Sequence, residues 1–183
     1  MNAREIAQSR IGRVFVQLVG RLMENPLRYR LFGPTNILKG VDNLPSGSVL
    51  EIGCGTGYFT IPAARLIGED GCLVAMDIVP DSVELVSKKV QVAGVENVRV
   101  LLGDALKTSF DDRSFDTVLL FGVIPSPMLP LKLLLAEMHR VLKPDGIMAA
   151  WPPIPGYLPG SILTSGKFRF VNKRNGVFNF RRC

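Results

Sequence analysis

The stretch VLEIGCGTGYFT, Val49 to Thr60, places Gly53, Gly55 and Gly57 at every second position directly after an apolar run that ends in Glu51-Ile52. A backbone without side chains can approach a ligand closely there, and it can turn sharply from strand to helix where positive φ is needed. The dinucleotide fingerprint G-x-G-x-x-G would put its third glycine at residue 58, which is Tyr58. The spacing is instead G-x-G-x-G with an acid two residues ahead of the first glycine. It suits a ligand with no phosphate to hold and a cationic amino-acid end that the Glu51 carboxylate can meet.

Outward from this loop, apolar runs alternate with amphipathic ones. SVLEI reads as a strand, a helix is expected from Gly57 to about Ile67, and Gly68 to Gly71 close it in a turn. CLVAMD is a second strand. Pro80-Asp81-Ser82 opens a helix through Val92, with Val83, Val86 and Val90 on one face and Gly94 at its end. VRVLLGD and SFDTVLLFG are the next strands, LKLLLAEMHRVLKPDG is a helix stopped by Pro144-Asp145-Gly146, and IMAAW is a further strand. KFRFVNKRNGVFNFRR reads as a hairpin turning at Asn175-Gly176. Strands apolar on both faces, alternating with helices, predict an α/β fold with a doubly wound, mostly parallel sheet.

In such a sheet ligands sit beyond the carboxyl ends of the central strands. Asp77 ends the second strand 20 residues after Gly57, where a carboxylate can accept both hydroxyls of a ribose. Asp104, in LLGDAL at the end of the third strand, can accept the exocyclic amine of an adenine. With Glu51, three carboxylates at three successive strand ends outline an adenosine-shaped site with room for an ammonium group.

At 183 residues and 47% hydrophobic, the chain has the length of one well-buried domain. Residues 1–40 are expected to form an N-terminal helical arm belonging to the same domain as residues 41–183. In that arm Ile11, Val14, Phe15, Leu18, Leu22 and Met23 share one helix face, opposite Arg10, Arg13, Gln17, Arg21 and Glu24. Such a helix packs on its own sheet, caps a site or lies on a membrane. No run is long enough to span a bilayer, and the polar first ten residues do not resemble a secretory signal. Three cysteines without C-x-x-C spacing or neighbouring histidines indicate neither a disulfide framework nor a zinc site, so a cytoplasmic setting is expected and no metal. Charge is segregated. Residues 1–40 hold seven Lys/Arg against two Glu, residues 41–150 nine against fourteen acids, and residues 151–183 six against none. Basic ends either attract an anionic partner (an acidic metabolite, an anionic lipid surface or RNA) or simply solvate the protein.

Taken together, VLEIGCGTG, LVAMDIVPDSV, VRVLLGDAL, FDTVLLFG and EMHRVLKPDGIM resemble, in that order, the class I S-adenosylmethionine-dependent methyltransferases. HRVLKPDG looks most like the branch holding ubiquinone/menaquinone-type and methyltransferase type 11 enzymes. The resemblance implies a Rossmann-like seven-stranded sheet, mostly parallel, with one strand of the C-terminal hairpin antiparallel. It also implies S-adenosyl-L-methionine as cofactor, methyl transfer by in-line displacement, and a small hydrophobic or anionic, lipid-like acceptor. Carried over by residue, Glu51, Gly53 and Gly55 would contact the methionine part, Asp77 the ribose, Ile78 one adenine face, and Asp104 with Ala105 the adenine edge, with Cys54, Thr56, Tyr58 and Gly103 belonging to the same cofactor site. Phe121 would border the methyl group. RNA is the rival acceptor suggested by the basic ends, although no N-P-P-Y-like tetrapeptide follows the fourth strand; peripheral membrane contact and a catalytically silent cofactor-binding module are the other readings.

No catalytic residue is assigned. The loop after the fourth strand, GVIPSPMLP, has no titratable side chain to act as a base. His139 lies in the helix before VLKPDG, away from the strand ends, and reads as structural. Cys54 reads as a small packed thiol, and Tyr29 and Tyr58 are candidates to border the acceptor beside the Pro-rich WPPIPGYLPG.

Overall fold

The computed structural model describes residues 33–44, 46–124, 129–152 and 160–183. The expected arm helix, Tyr29, most of WPPIPGYLPG and the centre of the loop after the fourth strand lie outside them. The described elements are α1 (Pro34–Leu38), β1 (Ser48–Ile52), α2 (Thr60–Ile67), β2 (Cys72–Asp77), α3 (Pro80–Ala93), β3 (Val98–Leu102), β4 (Phe115–Phe121), α4 (Leu131–Val141), β5 (Leu142–Trp151), α5 (Gly160–Leu163), β6 (Phe168–Arg174) and β7 (Val177–Arg182).

All seven strands join in one sheet, ordered β3-β2-β1-β4-β5-β7-β6. The strands from β3 to β5 are parallel neighbours, while β7 runs antiparallel to both β5 and β6. This is the predicted Rossmann-like arrangement. From β1 the chain builds outward first through β2 and β3, then crosses back to β4, so the crevice between the carboxyl ends of β1 and β4 is the topological switch point where such sheets bind ligands.

The central strands are buried almost throughout because both faces are covered. On one face Val49, Leu73, Leu119, Ile147 and Val177 pack with Ile37 and Leu38 of α1, Phe59, and Ala63, Ala64 and Ile67 of α2. Val86 and Val90 of α3 close over Ala75 and Cys54. On the other face Leu50, Val118, Leu120, Met148, Phe178 and Phe180 pack with Leu134, Leu135, Met138 and Val141 of α4 and Ile162 of α5.

Two element boundaries differ from expectation. Three left-handed glycines carry the chain on past Gly57, so α2 begins at Thr60 rather than at Gly57. The helix expected to be stopped by Pro144-Asp145-Gly146 already ends at Val141, and Leu142 is paired with Phe115 of β4. Lys143 is thereby drawn out of the helical path onto both carboxylate oxygens of Asp116, at 2.9 Å, and Asp116 in turn accepts the backbone N–H of Ser48.

Two polar nodes, one buried and one part-exposed, tie distant segments. Asn179 of β7, fully enclosed, donates to Gly40 O at 2.8 Å and Asn172 Oδ1 at 2.9 Å, and its own oxygen accepts the N–H of Asp42 at 3.1 Å. On the opposite side Arg140 of α4 reaches Phe110 O, Thr108 O, Asp112 and Glu137, and so holds the β3–β4 connection against α4. Burial raises the affinity of Glu137 for its proton, but hydrogen bonds from Arg140 and Thr108 outweigh that and hold its pKa at about 2. The hairpin turns at Asn175 and Gly176, both left-handed (φ 48° and 80°), as a two-residue turn matching strand twist requires.

Arg140→Ala leaves Glu137 with only its Thr108 donors and loosens the β3–β4 connection. Its expected cost, measured by urea denaturation, is about 2 to 3 kcal/mol; a loss below about 0.5 kcal/mol, the range of ordinary surface changes, would show that the connection holds without it.

Candidate functional site

The glycine loop is fixed by the strand beside it. Gly53 and Cys54 both donate their N–H groups to Met76 O, at 2.8 and 3.2 Å, and Gly55 donates to Asp77 Oδ2 at 2.8 Å. Gly53, Gly55 and Gly57 have φ of 70°, 55° and 80°, a region that L side chains avoid. A Cβ on Gly53 would come within 2.9 Å of Val123 Cγ2, so the chain leaving β4 passes directly over this glycine. On the other side Lys89 of α3 donates to Thr56 O at 2.9 Å, anchoring the loop's outer limb.

Asp77, 8% exposed at the end of β2, has each carboxylate oxygen engaged: Oδ2 by Gly55 and Oδ1 by the N–H of Val79 at 2.9 Å. Burial raises its pKa, opposed by those backbone donors. Glu51 is more enclosed, at 2% exposure, and accepts the Thr60 hydroxyl at 2.7 Å. Burial is the main cause that pushes its pKa up to about 8; the Thr60 hydrogen bond opposes this and the nearby negative charge of Asp77 adds to it. Near neutral pH, Glu51 is therefore largely protonated. Burial and the same two carboxylates push the Cys54 thiol up as well, so it is packed and unreactive.

The third acid sits on a separate shelf. Gly103 donates to Asp77 O at 2.9 Å, and a Cβ there would collide with Met76 Sδ, which brings the β3 end tightly against β2. Asp104 is half-buried and accepts the N–H of Leu106 at 2.9 Å, making a tight turn with Ala105 at its corner. Ile78, also half-buried, follows Asp77 on the adjoining strand end. The three carboxylates thus occupy the ends of β1, β2 and the turn after β3, and all the flanking glycines lie among them.

At the β4 and β5 end the surroundings change from acidic to aromatic. Phe121 is buried and meets Phe59 edge to face at 4.9 Å; Phe59 also meets Tyr58 at 4.9 Å and Trp151 at 5.7 Å. Trp151 is half-buried, and the described residues after β4, Gly122, Val123 and Ile124, have no titratable group. His139 is remote from all of this. Its ring lies 2.9 Å from Cys183 O and packs on Phe168, at the opposite end of the sheet.

Sequence reasoning did not find Thr60, Lys89 or the Asp116–Lys143 latch. A buried Glu51 demands a donor, and a hydroxyl one helical turn past the loop was a readable signal. Lys89 had none, being 33 residues from the carbonyl it meets.

The chain matches the family model described as "Methyltransferase domain" over residues 49–146, more than half its length. It is 30% identical over 151 residues to a demethylmenaquinone methyltransferase of Geobacillus stearothermophilus, covering 79% of this chain and 63% of that one. It is 37% identical over 110 residues to the protein of the same name from Staphylococcus epidermidis, covering 58% and 43%. The chain therefore spans less than two thirds of the length of these curated relatives. Among solved structures, a SAM-dependent methyltransferase from Aquifex aeolicus superposes with a TM-score of 0.71 at 23% identity, over 91% of this chain and 97% of that one. The 4+2 cyclase SpnF superposes with a TM-score of 0.74 at 17% identity, over 93% and 74%. The N-methyltransferase NodS of Bradyrhizobium japonicum, solved with S-adenosyl-L-homocysteine, gives a TM-score of 0.63 at 17% identity, over 88% and 90%. These structures share the fold.

The protonated state of Glu51 has a measurable signature. In the native state its proton is held to about pH 8, whereas the unfolded chain releases it near 4.5. The native protein therefore loses stability as pH rises through that window. Glu51→Gln keeps an acceptor for Thr60 and has no proton to lose. Its stability relative to the unsubstituted protein is expected to climb from pH 5 to pH 8, reaching on the order of 3 kcal/mol by pH 9 in urea denaturation; a difference independent of pH would mean that Glu51 is ionised in the folded state.

Proposed function

This chain belongs to the class I S-adenosylmethionine-dependent methyltransferases, and we propose that it transfers a methyl group from S-adenosyl-L-methionine to a lipid-like acceptor of the quinone type. The observation that carries the acceptor class is the change of lining across the crevice. Carboxylates and bare backbone lie at the ends of β1, β2 and β3, while aromatic and aliphatic groups without a titratable side chain lie at the described ends of β4 and β5. The demethylmenaquinone methyltransferases among its relatives support the same class.

The residues present fit the cofactor. Gly53 and Gly55 leave open backbone where side chains would intrude, Asp77 offers a carboxylate for the ribose hydroxyls, and Asp104 with Ala105 and Gly103 offers an edge for adenine. Ile78 would cover one adenine face, Cys54, Thr56 and Tyr58 would complete the loop's wall, and Phe121 would back the methyl-bearing end. Glu51 would receive the ammonium group, giving up the proton that burial makes it hold. When bound, the cofactor supplies an electrophilic methyl on a positively charged sulfur.

The protein's own contribution is alignment and exclusion of water. Val123, lying over Gly53, would border the transferred group, and Trp151 would offer a flat apolar wall for a ring. Rate enhancement then comes from holding the acceptor at ~3 to 3.5 Å from the methyl carbon in line with the bond that breaks. An electron-rich hydroquinone ring carbon would attack the methyl carbon as the sulfur–methyl bond breaks, and the ring proton would then be lost; Gly122, Val123 and Ile124 carry no side-chain base to take it.

Two measurements test this reading. Asp77→Ala is expected to weaken S-adenosylmethionine by about 1.5 to 3 kcal/mol in calorimetric titration while the domain stays folded; unchanged affinity removes Asp77 from the site. Incubation with S-adenosylmethionine and a reduced, unmethylated naphthoquinone bearing an isoprenoid tail should yield a product carrying one added methyl by mass spectrometry. Cofactor binding without product from that quinol would overturn the acceptor class, and methylation of RNA in its place would assign the basic ends to nucleic acid.

A further inference from the structure

The β6 edge presents an arrangement that the cofactor site does not use. It is the last strand of the sheet, with no strand on its outer side among the described residues. Residues 151–183 hold six Lys/Arg and no acid, and all six fall between Lys167 and Arg182, on or beside this hairpin. Arg169, Lys173 and Arg174 are exposed. The pairing register puts Arg169 and Arg174 on the α1 face and Lys173 on the α5 face, so cations flank the edge on both sides. Arg169 stands directly opposite Arg181, a like-charge pair that weakens a sheet unless a counter-charge is supplied from outside. Asp42 meets Arg174 at 3.1 Å and Asn172 at 2.7 Å, at the far end of the strand from that pair.

Two large apolar side chains break through the same rim: Phe170 is 47% exposed and Leu163 of the adjoining α5 is 50% exposed. Basic groups interleaved with apolar ones fit two anionic partners, a nucleic acid strand or a phospholipid surface. The aromatic rings decide between them. Strand binding stacks successive bases on open rings, yet Phe178 is buried with the Lys173 ammonium over its ring at 4.7 Å and Phe180 is fully buried, which leaves Phe170, packed on Phe180 at 5.8 Å, as the single exposed ring of the hairpin. A bilayer interface needs no open face, only apolar tips to enter and cations to meet headgroups.

We propose that the β6 edge, with Arg169, Phe170, Lys173 and Leu163, docks this protein on an anionic phospholipid surface. The sheet then stands edge-on to the bilayer with the hairpin turn, which abuts Trp151 at the site end of β5, close to the lipid. This deepens the lipid-like-acceptor reading and takes its purpose from it, since such an acceptor resides in the bilayer.

Acceptor-free vesicles separate the two ideas. Cosedimentation of the 183-residue chain with phosphatidylglycerol-containing vesicles is expected, with little on phosphatidylcholine alone and a steep fall as salt rises. The double variant Arg169→Glu/Lys173→Glu should weaken vesicle binding at least tenfold, and Phe170→Ser should weaken it measurably, while S-adenosylmethionine affinity and the circular dichroism spectrum stay unchanged. Equal binding of the double variant and the unsubstituted chain, absence of any preference for phosphatidylglycerol, or single-stranded RNA that displaces the vesicles and itself depends on the same residues would overturn the proposal. None of those results bears on methyl transfer, because the vesicles hold no quinone.

Discussion

Between Gly53 and Gly57 the backbone enters the left-handed region three times, and the turn it makes is held by N–H groups donated to the end of β2. No side chain can be inserted at Gly53 without meeting Val123, and none can be added at Gly103 without meeting Met76. The ends of β1, β2, β3 and β4 are thus locked to one another by close backbone approach. A rigid loop of this kind costs conformational entropy at each glycine, and burial of the flanking strands on both sides offsets it. The carboxylates inherit their positions from this lock. Asp77 anchors both Gly55 and Val79 with no ligand present.

That anchoring also explains the electrostatics. A buried carboxylate is tolerated when it has donors or a proton. Asp77 has two backbone donors, whereas Glu51 has the Thr60 hydroxyl and retains its proton to about pH 8. The proton on Glu51 lowers the charge that the two acids place in one small volume. The aromatic cluster of Tyr58, Phe59, Phe121 and Trp151 then keeps the neighbouring end of the sheet dry and stiff.

Most of the sheet was legible because strands buried on both faces are unbroken apolar runs with turn residues between them, as in SVLEI and CLVAMD. The places of the three acids at successive strand ends were legible too: Asp77 closes β2, Glu51 stands one residue before the end of β1, and Asp104 lies two residues past β3. What could not be read depended on partners distant in sequence. The end of α4 at Val141, just short of the expected stop at Pro144, accompanies the pairing of Leu142 with Phe115 and the contact of Lys143 with Asp116, 27 residues apart. The start of α2 shifted because the glycines fix a longer turn than their spacing alone conveys. The protonation of Glu51 follows from enclosure by both α2 and β4, which no local pattern encodes.

The fully buried amide of Asn179 joins the turn after α1 to the C-terminal hairpin across 137 to 139 residues of chain. During synthesis on the ribosome, residues 33–44 emerge long before β7 exists, so the Gly40 carbonyl and the Asp42 N–H must wait in water for their partner. The pairing of β1 with β2 and β4, and of β2 with β3, needs no residue beyond Phe121 and does not wait for β7. These two bonds of the α1 segment are consequently coupled to completion of the hairpin.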